Sequence, residues 1–87
     1  GAAAWGASVA VKVLLFAQAA EWAGRRELAR PVPRPLRLVE LLAWPELARL
    51  AGRLSGTRFA INQEFAGEEA WVKDGDEVAV LPPVSGG

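Results

Sequence analysis

The spacing of apolar and polar residues changes period several times along this chain, and each change marks a new element. From Val9 to Phe16 the run is β-branched and apolar, as in a strand, with Val11, Val13 and Leu15 on one face and Lys12, Leu14 and Phe16 on the other. Ala17 to Ala23 suits a short helix, which Gly24 stops. Glu27 to Val32 reads as a second strand, and Pro31 and Pro33 assign its end to a sheet edge, because proline has no N–H for a ladder. Pro35 is placed to open a helix, and Leu38, Leu41 and Leu42 follow at the spacing of a core-facing stripe. Pro45 interrupts that helix and opens a shorter one, with Leu47, Leu50 and Leu54 along one side. Arg58 to Asn62 alternates, Phe59 and Ile61 facing one way. Trp71-Val72-Lys73 is a short strand before an Asp74-Gly75 turn, and Glu77 to Leu81 alternates again, with Val78 and Val80 opposite Glu77, Ala79 and Leu81.

The order strand, strand, helix, strand, strand, strand predicts an α+β roll of the ubiquitin-like kind. A mixed five-stranded sheet buries one face against one main helix, with short extra helices. In that arrangement the first and last strands lie side by side. The body spans 9–81 and an extended tail spans 82–87. Residues 1–8, small and Ala-rich apart from Trp5, read as an expression remnant or a loose terminus, without the basic leader and apolar stretch of a signal peptide.

Composition narrows the chemistry. A chain of 87 residues is one small domain. Acidic and basic residues balance at ten each, so no overall field points to nucleic acid or an anionic membrane. The longest apolar run is broken by Lys12 and is too short to span a bilayer. Cys is absent, which excludes disulfides and thiolate metal sites; His is absent, which removes the usual general base and the commonest zinc ligand. These features fit a cytoplasmic protein that binds no cofactor or metal of its own.

Two features point towards function. If Val11, Val13, Val78 and Val80 face the helix, the open face of the sheet receives Leu14, Phe16, Ala60, Ala79 and Leu81, with Lys12, Arg58 and Glu77 as polar edges. A solvated face is normally polar, so this apolar centre reads as a docking patch for a partner protein. The tail leaves beside it. Pro82 and Pro83 stiffen a stem, and Val84, Ser85, Gly86 and Gly87 continue it with little side-chain bulk. Such a tail is able to thread a narrow channel and offer the Gly87 carboxylate to chemistry done by another protein.

Three blocks, Lys12-Val13-Leu14-Leu15-Phe16-Ala17-Gln18, Ala60-Ile61-Asn62-Gln63 and Asp74 to Gly87, closely resemble the small-subunit family of molybdopterin synthase. The resemblance runs from about Val11 onward, and the tail block is its most specific part. It implies a β-grasp sulfur carrier. An ATP-using, E1-like activating enzyme would adenylate Gly87, and sulfur from a donor protein's persulfide would displace AMP to leave a thiocarboxylate. Pro82 to Gly86 would thread into the large subunit, in a heterotetramer of two small and two large subunits, and Gly87 would deliver sulfur to cyclic pyranopterin monophosphate for the molybdenum (or tungsten) cofactor. Leu14, Phe16, Ala60, Ala79 and Leu81 would dock that subunit. The chain is then a tethered donor without an independent active site. Ala20 departs from the family, which often has a basic residue there.

Other candidates read as structural. Asp74, Asp76 and Glu77 are explained by a turn beside a strand rather than by a metal or acid–base cluster. Arg25, Arg26, Arg30, Arg34 and Arg37 read as a solvated surface, because no aromatics interleave them in sequence. Trp22, Trp44 and Trp71 are core or rim packing, and Glu64, Glu68 and Glu69 loop solvation. Two rivals share the terminal chemistry: a ubiquitin-like protein modifier conjugated through Gly87, and the thiamine-pathway sulfur carrier. The Pro82-Pro83-Val84-Ser85 stem favours the molybdopterin pathway over the thiamine one.

Overall fold

The computed structural model describes residues 9–84. Five strands form the main sheet: β1 (Val11–Leu15), β2 (Glu27–Arg30), β4 (Arg58–Ile61), β5 (Glu64–Ala66) and β7 (Glu77–Leu81), in the order β2-β1-β7-β4-β5. β1 and β7 pair in parallel at the centre, with Val13 opposite Val78 and Leu14 opposite Ala79. β2 lies antiparallel to β1, and β4 is antiparallel to both β7 and β5. A separate two-stranded ribbon joins β3 (Leu36–Arg37) to β6 (Trp71–Val72).

The alternation seen in the sequence sets the faces. Val11, Val13, Leu15, Val78 and Val80 all point into the core and are at most 3% exposed. Leu38, Leu41, Leu47 and Leu50 close over them from the helical layer. Burying each of these leucines contributes about 1.5–3 kcal/mol. β2 is an edge strand, as Pro31 and Pro33 predict, and the expected α+β β-grasp arrangement with adjacent first and last strands is observed.

Three expectations are corrected. The first concerns the single main helix after Pro35. The chain there forms β3 and then α2 (Leu38–Leu41), only four residues long. The Leu38 and Val39 N–H groups donate to Ala70 and Glu68 carbonyls at 2.8 and 2.9 Å, so the β5–β6 connection holds the start of α2. Pro45 then begins a 3₁₀ helix (Pro45–Leu50). The longest helix is instead α1 (Ala17–Ala23), which packs against that 3₁₀ helix and ends at Gly24 in the left-handed region. The helical layer is therefore shared among three short pieces.

The second correction concerns Trp71-Val72-Lys73, which belongs to the ribbon and stops at Val72, outside the main sheet. The third concerns Glu64, read as loop solvation: it opens the fifth main-sheet strand. Asn62 and Gln63 have φ of 52° and 72°, both positive, as in a two-residue type I′ hairpin turn joining β4 to β5.

Candidate functional site

One row of side chains crosses the sheet on the face turned away from the helices. Glu27 pairs with Leu14, Leu14 with Ala79, Ala79 with Ala60, and Ala60 with Phe65. Four consecutive members of this row, Leu14 to Phe65, are apolar. The row exists because the parallel β1–β7 register sets outward-facing Leu14 beside outward-facing Ala79, and the antiparallel β4 and β5 registers continue it through Ala60 and Phe65. Leu14 and Ala79 are half-buried and Phe16 is 45% exposed. Leu81 is also half-buried, opposite Arg58. The five expected docking residues thus do lie on one side of the sheet.

Ala60 differs from the rest in exposure. It is buried, at 7% exposed. Its methyl group is short and sits between Ala79 and Phe65 on neighbouring strands, so it forms the floor of the patch. Phe65, 65% exposed, stands at the end of the row and was missed because its strand was read as a loop. The Glu64-Phe65-Ala66 alternation after an Asn-Gln pair was the available signal. The Arg58 guanidinium stacks over Phe65 at 4.0 Å from the ring centre, so a cation rims the apolar row.

The stem leaves from the end of β7, next to Leu81. Pro82 is half-buried, Pro83 exposed, and Val84 is 91% exposed. The sequence-predicted residues Ser85, Gly86 and Gly87 lie outside the described residues, as do residues 1–8.

The carboxylates of the β6–β7 turn are engaged in structure. Asp76 Oδ2 accepts the Lys73 backbone N–H at 2.9 Å, and Oδ1 accepts from Asn62 Nδ2 at 2.9 Å and Lys73 Nζ at 3.2 Å. Burial of Asp76 works against its charged form, but the hydrogen bonds from Asn62 and Lys73, with the Lys73 charge, outweigh it and hold the carboxyl below its usual range. Asp74 Oδ1 accepts the Val32 N–H at 2.8 Å, tying the turn to the chain after β2. This supports the turn reading over acid–base work.

The arginines are less bare than their sequence suggests. Arg30 bridges to Glu46 at 3.1 Å and stacks over Trp44, Arg37 stacks over Trp71, and Arg53 over Trp22. Aromatics distant in sequence are therefore brought under Arg30 and Arg37. Trp22 and Trp44 pack on the rim of the core, whereas Trp71 is 57% exposed. Arg25 and Arg26 are exposed at the turn after α1.

Among the described residues the arrangement presents an apolar surface and the root of a stem. A family model described as the ThiS family matches residues 13–87. The molybdopterin synthase sulfur carrier subunit of Homo sapiens is 38% identical over 84 residues, spanning 88% of this chain and 93% of the relative. That of Arabidopsis thaliana is 39% identical over 85 residues, spanning 92% and 85%. Among solved structures, SAMP1 from Haloferax volcanii overlays with a TM-score of 0.79 at 28% identity, covering 90% of this chain and 99% of that one. A chain in the complex of subunits 1 and 2 of the molybdopterin-converting factor from Helicobacter pylori overlays with a TM-score of 0.61 at 28% identity, covering 90% and 99%. With the family model matched over nearly the whole described chain, and with these relatives at this identity and coverage, the chain belongs to the ThiS family, among the molybdopterin synthase sulfur carrier subunits.

Proposed function

We propose that this chain is the sulfur carrier of a molybdopterin synthase, with the Gly87 carboxylate as the group that is loaded and discharged. An E1-like enzyme uses ATP to convert that carboxylate to an acyl-adenylate, releasing pyrophosphate. Adenylation supplies the leaving group that a carboxylate lacks; a donor protein's persulfide then displaces AMP to form an acyl disulfide, and a thiol reduces that disulfide, releasing the thiocarboxylate and leaving a new disulfide. The resulting thiocarboxylate is a softer nucleophile than the carboxylate. Docked through the sheet face, the chain extends Pro82 to Gly86 into the large subunit, where Gly87 gives its sulfur to cyclic pyranopterin monophosphate. Two small and two large subunits form the assembly, and the reaction takes place in the cytoplasm. No helix among the described residues is long and apolar enough to cross a membrane.

The observation that carries this reading is the helix-free apolar row Leu14–Ala79–Ala60–Phe65, adjoining the strand from which the Pro82-Pro83 stem departs. The apolar row and the root of the stem share one strand, β7. Intact-mass spectrometry tests it. Incubation with the activating enzyme, ATP and a sulfur donor should add the mass difference of one oxygen-to-sulfur exchange at Gly87. Addition of the large subunit and cyclic pyranopterin monophosphate should return the carboxylate and yield dithiolene product.

A second reading, a protein modifier, is favoured by the overlay on SAMP1. Under it, the activated Gly87 forms an isopeptide bond with a target lysine. A thiocarboxylate that persists in the presence of substrate, together with Gly87 linked to lysines, selects this reading over the first.

A further inference from the structure

Beyond Leu81 the β7 side of the β4–β7 ladder has no donors to continue it, because Pro82 and Pro83 lack N–H groups. Pro83 nevertheless lies against Gly56, each two residues from the ladder's last pair, Arg58 with Leu81. A Cβ on Gly56 would stand 3.3 Å from Pro83 Cγ and 3.6 Å from Pro83 Cβ. The nearer approach is tighter than the ordinary carbon–carbon optimum, and the obstacle is a ring that cannot swing aside.

Gly56 also has φ of +77° and occupies the third position of a turn closed by the Thr57 N–H on the Leu54 carbonyl at 2.9 Å. Two distinct demands therefore fall on this position, one from the backbone and one from Pro83. A neighbouring glycine separates them. Gly52 follows Ala51 (φ −57°, ψ 132°) in a turn closed by the Arg53 N–H on the Leu50 carbonyl, and also has φ of +77°. A Cβ on Gly52, however, would meet nothing within 4 Å.

We infer that Gly56 is a positioning residue for the tail: its missing side chain seats the Pro83 ring and so sets the direction in which the chain leaves the sheet at Val84. This rests on the reading that the tail carries sulfur into a partner. Proline fixes φ within the stem but does not fix the stem against the body, and the ladder that would do so has ended. Contact with Gly56 supplies that restraint.

The test compares Gly52→Ala, Gly56→Ala, Pro83→Ala and the double variant Gly56→Ala/Pro83→Ala with the wild-type chain. In the isolated protein, Gly56→Ala should move the Val84 amide resonance, and Gly52→Ala should leave it in place. On the Pro83→Ala background the Gly56 change should no longer move Val84, since the ring it meets has gone. In single-turnover sulfur transfer from preloaded protein, Gly56→Ala should slow the transfer step about tenfold or more with KM unchanged, because the docking face is intact and only the aim is altered. Gly52→Ala should transfer at the wild-type rate.

Equal effects of Gly52→Ala and Gly56→Ala on Val84, or an undiminished Gly56 effect without the Pro83 ring, would overturn the inference. A wild-type chain that transfers no sulfur overturns the reading of the tail instead. The Val84 resonances, which need no partner, still decide the role of Gly56.

Discussion

The Asn62 side-chain amide donates to Asp76 Oδ1 at 2.9 Å and so joins the β4–β5 hairpin turn to the turn that starts β7. Asn62 also accepts the Glu77 N–H at 2.9 Å through Oδ1 and donates its own N–H to the Glu77 carbonyl at 2.8 Å. Two turns fourteen positions apart are thereby clamped together at the start of the strand that carries the stem.

Replacing Asp76 with Ala removes the acceptor for three donors, the Asn62 amide and the Lys73 N–H and ammonium, at a site only 7% exposed. The expected loss is about 2–4 kcal/mol of unfolding free energy, larger than for a surface carboxylate. Urea denaturation of Asp76→Ala beside Asp74→Ala measures it, and a loss confined to a few tenths for Asp76→Ala contradicts the clamp.

The same group sets a pH dependence. Burial opposes its ionisation, but its hydrogen bonds and the Lys73 charge leave the folded-state pKa below the ordinary 3.8. A depressed folded value means that ionised Asp76 favours the folded state above the unfolded pKa. That stability is lost as pH falls from 3.8 through the lower folded value. Wild-type stability should therefore decline more steeply over that acidic window than that of Asp76→Asn, as followed by urea titrations at successive pH values. Parallel slopes would exclude Asp76 as the source.

Ala17, the residue after Phe16, has φ of 49°, in the left-handed region where a Cβ crowds the backbone. Ala17→Gly should relieve this and raise stability by up to about 1 kcal/mol, offset in part by the entropy glycine loses on folding. The midpoint of chemical denaturation, at unchanged slope, is the measurement. A lower midpoint would mean that the Ala17 methyl contributes more through packing than its backbone costs.

The proposed docking face makes a separable prediction. Phe65 and Phe16 are 65% and 45% exposed, so Phe65→Asp and Phe16→Asp should leave thermal stability near wild type. Each should weaken binding to the large subunit by about 2 kcal/mol or more, because a charge is then desolvated within an apolar contact. Ala60→Asp should behave differently and lower stability itself, since Ala60 is 7% exposed. Calorimetric titration beside thermal melts distinguishes the two outcomes, and wild-type affinity for both Phe variants would remove the face from the interface.

What was legible in the sequence followed period and punctuation. The Val11/Val13/Leu15 and Val78/Val80 alternation identified the core faces of the two central strands, and α1 with its Gly24 stop was readable to the residue. The leucines at 38, 41, 47 and 50 were rightly assigned to the core, but their spacing did not reveal that Leu36-Arg37 would stay extended. That outcome depends on pairing with Trp71-Val72, more than thirty positions away, which no local pattern encodes. Phe65 was hidden for a related reason. Its strand is three residues long and is reached through an Asn-Gln turn, which lacks the glycine that usually announces such a hairpin. The apolar row was legible in part because alternation alone places Leu14 and Ala79 on the open face; its far end depends on a register visible only in the fold.

The parallel pairing of β1 with β7 has a kinetic consequence. Leu14 and Ala79 become neighbours only after nearly the whole intervening chain has been closed into a loop, an entropic cost met before the pairing returns any stability. No fragment lacking β1 or β7 contains the whole apolar row, because its Leu14–Ala79 step joins the two strands most distant in sequence. A partner that docks on this face consequently recognises only molecules that have finished folding. Any substitution that shifts the folding equilibrium, however far from the sheet, then changes the concentration of dockable carrier by the same factor as the folded population.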